Sequence, residues 1–433
     1  MKKKIVSALL VLAMIGSMAT GCGSKKEETA GETKDTNEQT ISILVDANTS
    51  TAGIEAVIKA AEEELGIKAE IEVQPGGSEG DNLIKTRLSS GTMNDICLYN
   101  SGSLLQALNP EEYFEDLSDQ DFVKNYEDTY TQTVSVGDAV YGVPATSSQV
   151  VGWLYNKKIY EELKLEVPKT WDELMANCEK IKAAGKTAII GSYKDTWTSQ
   201  PVFLGDAYNI LYGAPNFVED YTAHTATFGN TPSALNAFQK LYDTAPYINE
   251  DSMSTTYDMA IEMLATGEGA HYVMLTQALT NIYDQYPDNI DDIGIFAQPG
   301  ATEEETGLTL YMPNSFYVNK KSENKEAVLK WLEFYVSQAG ADAYGSAVLP
   351  EGPLVVKDLK LPEGSYAALS EAQAYLDEGK VATGLEFLLP VKGANCPDIC
   401  VNCALGKKTA QETAQEYDKD CEKQAQQMGL ENW

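Results

Sequence analysis

The chain has 433 residues, with 65 Asp or Glu against 32 Lys or Arg and a formal net charge of −33. A surface this acidic repels nucleic acid and anionic membrane faces, which excludes both as partners. Arg87 is the only arginine, on a predicted helix among Leu83, Ile84 and Leu88 and pointing to solvent. The bidentate grip used for carboxylate and phosphate ligands is therefore missing, and a neutral or cationic ligand is left.

Residues 1–21 read as a leader. Lys2, Lys3 and Lys4 precede an apolar run over 5–18, shorter than the roughly 20 residues that a membrane-spanning helix needs. The run ends Ala19-Thr20-Gly21-Cys22. Small residues before a cysteine fit a lipoprotein signal in which Cys22 takes the lipid and becomes the mature N-terminus; an ordinary secretory signal cut nearby is the alternative. Either places the chain outside the cytoplasm. Without the leader, 29 basic residues face 65 acidic ones, a net charge of −36. Residues 22–40 are polar with no apolar period and read as a disordered tether. The remainder is long enough for two domains with cores of their own.

Residues 41–46 read as a strand and 54–65 as a helix with Ile54, Val57, Ile58, Ala61 and Leu65 on one face. A second strand follows at 69–73. This β-α-β start implies a right-handed crossover and a parallel sheet, with ligands at the carboxyl ends of its strands. Asp46 and Asn48 stand at that end of the first strand, as contacts for ligand hydroxyls or as turn and N-cap chemistry. Residues 149–155 are β-branched and aromatic, as in a strand. Beyond them, Thr170-x-x-Glu173 has capping-box spacing, and Trp171, Leu174, Cys178 and Ile181 form one apolar helical face ending near Gly185. A short buried strand over 188–190 precedes Tyr193, Asp195 and Trp197. Flat aromatic faces beside a carboxylate are what a pyranose requires, since its C–H face packs on the ring and its hydroxyls need partners.

The segments Tyr141-Gly-Val-Pro, Tyr155-Asn-Lys-Lys158, Pro168-x-Thr-Trp-Asp-Glu-Leu174 and Lys182-x-x-Gly-Lys186, in this order, resemble the family 1 extracellular solute-binding proteins of ABC transporters, the carbohydrate-binding, maltose-binding-protein-like group. Lys164 departs from the pattern, standing where the family usually has a helix-ending glycine. The resemblance implies a two-lobed α/β fold of the periplasmic-binding-protein type II class, with hinge strands near 149–153 and 311–314. It implies a first lobe of residues 41–148 and 313–358 and a second of 149–312 and 359–433. Residues 88–99 resemble the family's Gly-x-x-Pro-Asp lead-in to a strand, which makes Tyr99 and Asn100 first-lobe sugar contacts and Asp95 a turn-holding residue. Residues 263–274 resemble its Gly-x-x-Ala-Met motif, with His271 in place of methionine. The loop after it has Gln277 where the family often carries a stacking tryptophan. Residues 308–318 read as a strand returning to the first lobe. Trp153, Tyr272, Asn314 at the hinge crossing and Glu351 in a Leu-Pro-Glu turn complete the implied site.

Cys396, Cys400 and Cys403 fall on one helical face and read as core, with Cys421 on the last helix as the partner for any disulfide. Cys97 and Cys178 read as buried thiols. Neither His224 nor His271 has a ligand-spaced partner, so no metal and no cofactor is expected. Enzyme motifs for serine hydrolases, zinc proteases and nucleotide binding are missing. The expectation is therefore a monomeric, lipid-anchored receptor that binds a mono- or oligosaccharide between its lobes and passes it to the permease subunits of an importer. A polyamine receptor of the same architecture and a carbohydrate-active enzyme are the alternatives.

Overall fold

The computed structural model describes residues 39–47, 49–75, 77–430 and 433. The leader, residues 22–38 of the expected tether, Cys22 among them, and Asn48 lie outside the described residues. Thirteen strands are described: β1 (Gln39–Asp46), β2 (Ile67–Gln74), β3 (Ile96–Tyr99), β4 (Ser135–Val136), β5 (Ala139–Val140), β6 (Gly142–Pro144), β7 (Gln149–Asn156), β8 (Thr187–Ile189), β9 (Gly269–Leu275), β10 (Ile293–Phe296), β11 (Leu308–Tyr311), β12 (Ser315–Val318) and β13 (Val381–Thr383). They form a five-stranded sheet ordered β2-β1-β3-β12-β6, a second ordered β13-β11-β7-β9-β8 with β10 also on β7, and the hairpin β4-β5.

The first sheet grows from the expected β-α-β unit. The helix Ala52–Leu65 buries Ile54, Val57 and Ala61 and ends at Gly66, whose φ of 70° is the left-handed C-cap that glycine adopts without a Cβ clash. Its strands β1, β2 and β3 are parallel, and β12 lies antiparallel to β3 with Ser315 opposite Tyr99. Asp95 holds the lead-in to β3 as expected: it accepts from the Ser42 backbone N–H and hydroxyl and from the Ser322 hydroxyl.

The chain passes between the two sheets over residues 145–148 and 312–314, and again between the helices Gln338–Gly345 and Ala367–Asp377. The first of these helices packs on Ala52–Leu65 and the second on β10. Ser148 donates from its N–H and its hydroxyl to the Pro353 carbonyl at 2.9 and 2.8 Å. The first and third passages are thereby tied together. Buried side chains run through these passages without a break, so that Ile41, Phe316 and Trp331 share one cluster with Leu154, Leu264 and Ile282 by way of Ala145, Met312 and Val355. A second cluster around Trp153, Phe203, Phe238 and Tyr417 fills the far side of the second sheet.

Five expectations are corrected. Residues 149–153 are not a hinge: all of β7 lies in the second sheet, where Val151–Tyr155 pair with β9 and Gln149 pairs with Tyr311. Residues 308–318 are two strands, because Pro313 has no N–H for a ladder and the chain changes sheet there. Arg87 does not point freely to solvent but bridges the Glu72 carboxylate and the Asn94 amide oxygen, tying β2 to the loop before β3. Glu173 reaches back to the N–H of Lys169 rather than of Thr170, while the Thr170 hydroxyl caps the helix as expected. Residues 39 and 40 are not tether but the start of β1, paired with Ile67 and Lys68. As expected of core residues, Cys97, Cys178, Cys396, Cys400, Cys403 and Cys421 are buried free thiols. Among the described residues no helix is long and apolar enough to cross a membrane, and no cluster of acidic, His or Cys side chains could hold a metal.

Candidate functional site

The carboxyl ends of β1 and β3, the start of β12 and the passages between the sheets meet around a cavity of about 450 Å³. That is within the roughly 300–1,000 Å³ range of small-molecule sites. Asp46 and Thr49 enter from the end of β1, Ser147 from the first passage, Gln149 from the start of β7, Tyr311 from the end of β11, Asn314 from the second passage and Glu351 from the third. These positions follow from local sequence. Pro144 and Pro313 end regular pairing on either side, leaving short polar segments whose side chains turn into the space between the sheets. Asp46 accepts from the Thr49 hydroxyl at 2.8 Å. Gln149 Nε2 donates to Glu351 Oε2 at 2.6 Å, and the Glu351 N–H donates to Ser147 Oγ at 3.0 Å. Burial pushes the Glu351 carboxyl above the usual carboxylate range, with the Gln149 hydrogen bond opposing it.

A smaller cavity of about 210 Å³ adjoins the first, sharing Asp46, Leu98 and Asn314, and reaches Tyr99 and Asn100 at the end of β3. Burial raises the Tyr99 phenol, assisted by the hydrogen bond it donates to Asp81 at 3.0 Å. Among the described residues, neither cavity is lined by Lys or Arg. The joined space offers carboxylate, amide and hydroxyl groups along with the ring of Tyr311. Such walls suit a ligand rich in hydrogen-bond donors and without negative charge.

Of the residues expected from sequence, Asp46, Tyr99, Asn100, Asn314 and Glu351 are thus brought together. Trp153, Tyr193 and Tyr272 are not. Trp153 is fully buried, its ring stacked on Phe296 at 6.1 Å and edge-on to His271 and Trp171, with its N–H donated to Gln298. A central strand covered on both faces has no side facing a cleft. Tyr193 belongs to the second buried cluster, and Tyr272, fully buried on β9, is hydrogen-bonded to Ser192 at 2.8 Å. Asp195 accepts from the N–H of Tyr257, the first residue of the helix Tyr257–Thr266. It complements the positive end of that helix. Gln277 opens the helix Gln277–Gln285 and is half-buried.

Trp197 is 39 % exposed and packs on Tyr257 at 5.4 Å between ring centroids. It stands outside the residues lining either cavity. Ser147, Gln149 and Tyr311 are additions that sequence reasoning missed. A polar glutamine opening the otherwise apolar β7 was the available signal for Gln149.

Two α/β lobes with a polar cleft floored by the passages between them define a solute receptor of the two-lobed class. The chain belongs to the bacterial extracellular solute-binding protein family, whose profile matches residues 47–342. It is 27 % identical over 196 residues to the multiple sugar-binding protein of Streptococcus mutans, a match covering 45 % of each chain. It is 24 % identical over 348 residues to an uncharacterized ABC transporter extracellular-binding protein of Pyrococcus horikoshii, covering 77 % of this chain and 76 % of that one. The apo form of RafE from Streptococcus pneumoniae superposes with a TM-score of 0.75 at 20 % identity, over 90 % of this chain and 98 % of RafE.

Proposed function

We propose that this protein is the extracytoplasmic receptor of an ABC importer and binds a neutral sugar or oligosaccharide between its lobes. The observation that carries the reading is the cavity of about 450 Å³ lined by Asp46, Gln149, Asn314, Glu351 and Tyr311 and, among the described residues, by no cationic side chain. Hydroxyls buried there find acceptors and donors at every side, which neutral sugars need and anionic solutes do not tolerate. The Streptococcus mutans relative, named as a sugar-binding protein, and the Pyrococcus horikoshii relative, named for an ABC transporter, support the same assignment. In this reading Cys22 carries the lipid, residues 22–38 tether a monomer to the outer face of the cell membrane, and the ligand is handed intact to the permease. The lobes are residues 41–148 with 313–358 and residues 149–312 with 359–433.

A thermal-shift screen over a glycan panel tests the ligand class, because a ligand that binds only the folded state raises the unfolding midpoint. A neutral sugar is expected to shift it, at 50 mM and 500 mM salt alike. A shift by spermidine alone, lost at high salt, rejects the carbohydrate assignment.

A further inference from the structure

A cavity of about 400 Å³ lies over the second buried cluster, and none of its lining residues is shared with the cleft. Its volume is within the roughly 300–1,000 Å³ of small-molecule sites. One wall is the last helix, Ala410–Met428, where Gln415, Asp418, Lys419 and Glu422 follow the i, i+3, i+4, i+7 spacing of a single face. The opposite wall is the end of the helix Phe217–Thr222 and the turn after it, carrying Tyr221 and His224, with half-buried Trp433 beside them. The three rings form a corner: the Trp433 centroid is 4.4 Å from that of His224 with the planes at 82°, and 5.5 Å from that of Tyr221 with the planes at 57°. His224 holds φ 60°, a left-handed position that glycine occupies without strain. The chain thus bears a backbone cost to place an imidazole against Trp433. The two walls are fixed to each other before any ligand arrives. Asp418 accepts from the N–H groups of Phe228 and Gly229, each at 2.8 Å, and Gln411 donates to the Gly229 carbonyl at 3.1 Å. Beneath them Phe228 and Tyr417 pack edge-on at 5.1 Å between ring centroids.

We propose that this cavity is a glycan-holding site separate from the cleft, in which a pyranose lays its C–H face on the Trp433 ring and its hydroxyls reach the Asp418 and Glu422 carboxylates, the Gln415 amide and the Lys419 ammonium. Carboxylates accept, an ammonium donates and an amide does both, and a ring with hydroxyls around it uses all three. The aromatic corner supplies the apolar face. His224, Gln415, Lys419 and Glu422 are exposed. The rim is therefore open, and a unit within a polysaccharide can enter as well as a free sugar. Binding here needs no approach of one sheet to the other, so a polymer held at this face stays at the receptor without being committed to transport. The site stands on its own residues, whatever the cleft takes.

Native-gel affinity electrophoresis of the full chain tests this, in gels containing soluble starch, arabinoxylan, galactomannan or mixed-linkage β-glucan. At least one of these polymers should retard the unmutated protein. Trp433→Ala should weaken that interaction at least about tenfold, as loss of a stacking anchor does, whereas Glu351→Gln in the cleft should leave it unchanged. Retardation that survives Trp433→Ala, or vanishes with Glu351→Gln, overturns the proposal, and so does a lack of retardation by every polymer. Should Trp433→Ala fail to fold, the double variant Gln415→Ala, Lys419→Ala replaces it, changed only at exposed positions. A loss of at least about threefold is then expected, and undiminished retardation rejects the site. An unfolding midpoint raised by choline chloride in the unmutated protein but not in Trp433→Ala, with no response to any polymer, would make the corner a cation site and reject the proposal equally. The cleft assignment fails separately. A thermal shift by small sugars that Glu351→Gln abolishes and Trp433→Ala leaves intact, without retardation by any polymer, keeps that assignment and removes this one, and Trp433-dependent retardation without such a shift does the reverse.

Discussion

His271 lies on β9 with Nδ1 2.8 Å from the Ala188 carbonyl and Nε2 2.7 Å from the Tyr160 hydroxyl. The carbonyl can only accept, so Nδ1 carries the hydrogen and the Tyr160 hydroxyl donates to Nε2. Burial lowers the pKa of this imidazole from 6.5 to about 4, the Ala188 bond opposing the shift. In the unfolded chain the ring protonates near its ordinary value, so between about pH 6.5 and 4 the unfolded state holds the extra proton. Stability contributed by His271 is therefore complete above pH 6.5 and falls by up to about 3 kcal/mol as the pH drops to 4. His271→Met should flatten the dependence of unfolding free energy on pH by one proton in that window, measured by urea titration at pH 4.5 and 7.5, whatever it does to stability at neutral pH. Equal pH slopes in the two proteins reject the assignment. Trp197 is tested differently, through binding. Its half-exposed ring leaves little apolar burial to lose, so Trp197→Ala should move the ligand-free unfolding midpoint only slightly. If it forms the second-lobe wall when the lobes close, the same change weakens sugar binding at least tenfold, toward the roughly 2–4 kcal/mol of a stacking hot spot. A strongly destabilised variant with normal affinity would make it a packing residue instead.

The short helix Lys157–Leu163 ends at Lys164, which holds φ 52° and ψ 50°, a left-handed conformation that costs a side chain about 1–2 kcal/mol. Lys164→Gly removes that strain but adds freedom to the unfolded chain, so a net gain of about 0.5–1 kcal/mol is expected in denaturant unfolding, with ligand affinity unchanged. A loss of stability would mean that the lysine stem contributes more packing than the backbone strain costs. This position was legible in the sequence as a cap lacking its glycine. What was not legible at this scale has a common cause. Trp153 lies in the middle of β7 and Trp197 in the segment after β8, and a continuous apolar run such as Val150 to Tyr155 does not reveal that both faces of β7 are covered. The ion pair of Lys240 with Asp206, at 2.6 Å and almost wholly buried, was equally hidden. Lys240 lies on the helix Pro232–Asp243 and Asp206 at the N-cap of the separate helix Ala207–Gly213, and only their packing brings the charges together.

At the scale of the whole molecule, the two-lobed class was readable because its markers are local: a β-α-β start and the order and spacing of the motifs between residues 141 and 186. The cleft was readable only in outline, since its floor is assembled from three passages whose register against one another depends on tertiary hydrogen bonds such as Ser148 to Pro353 and Gln149 to Glu351. Those bonds tie the first passage to the third, while Asp46, Tyr99 and Asn100 stand on the first sheet and Trp197 with Tyr257 on the second-lobe side. A ligand seated on the floor gains contacts from both sides only when the sides approach, and that differential affinity is what favours closure. Two measurements on one sample follow from this. At a sugar concentration 100 times its Kd the unfolding free energy should rise by about 2.7 kcal/mol, and small-angle scattering should report a smaller radius of gyration than for the free protein. Removing residues 1–38, which end before β1, should change neither result, because a polar tether contributes no core. Stabilisation without compaction would place the ligand on one lobe alone, and Trp197→Ala would then be expected to bind normally.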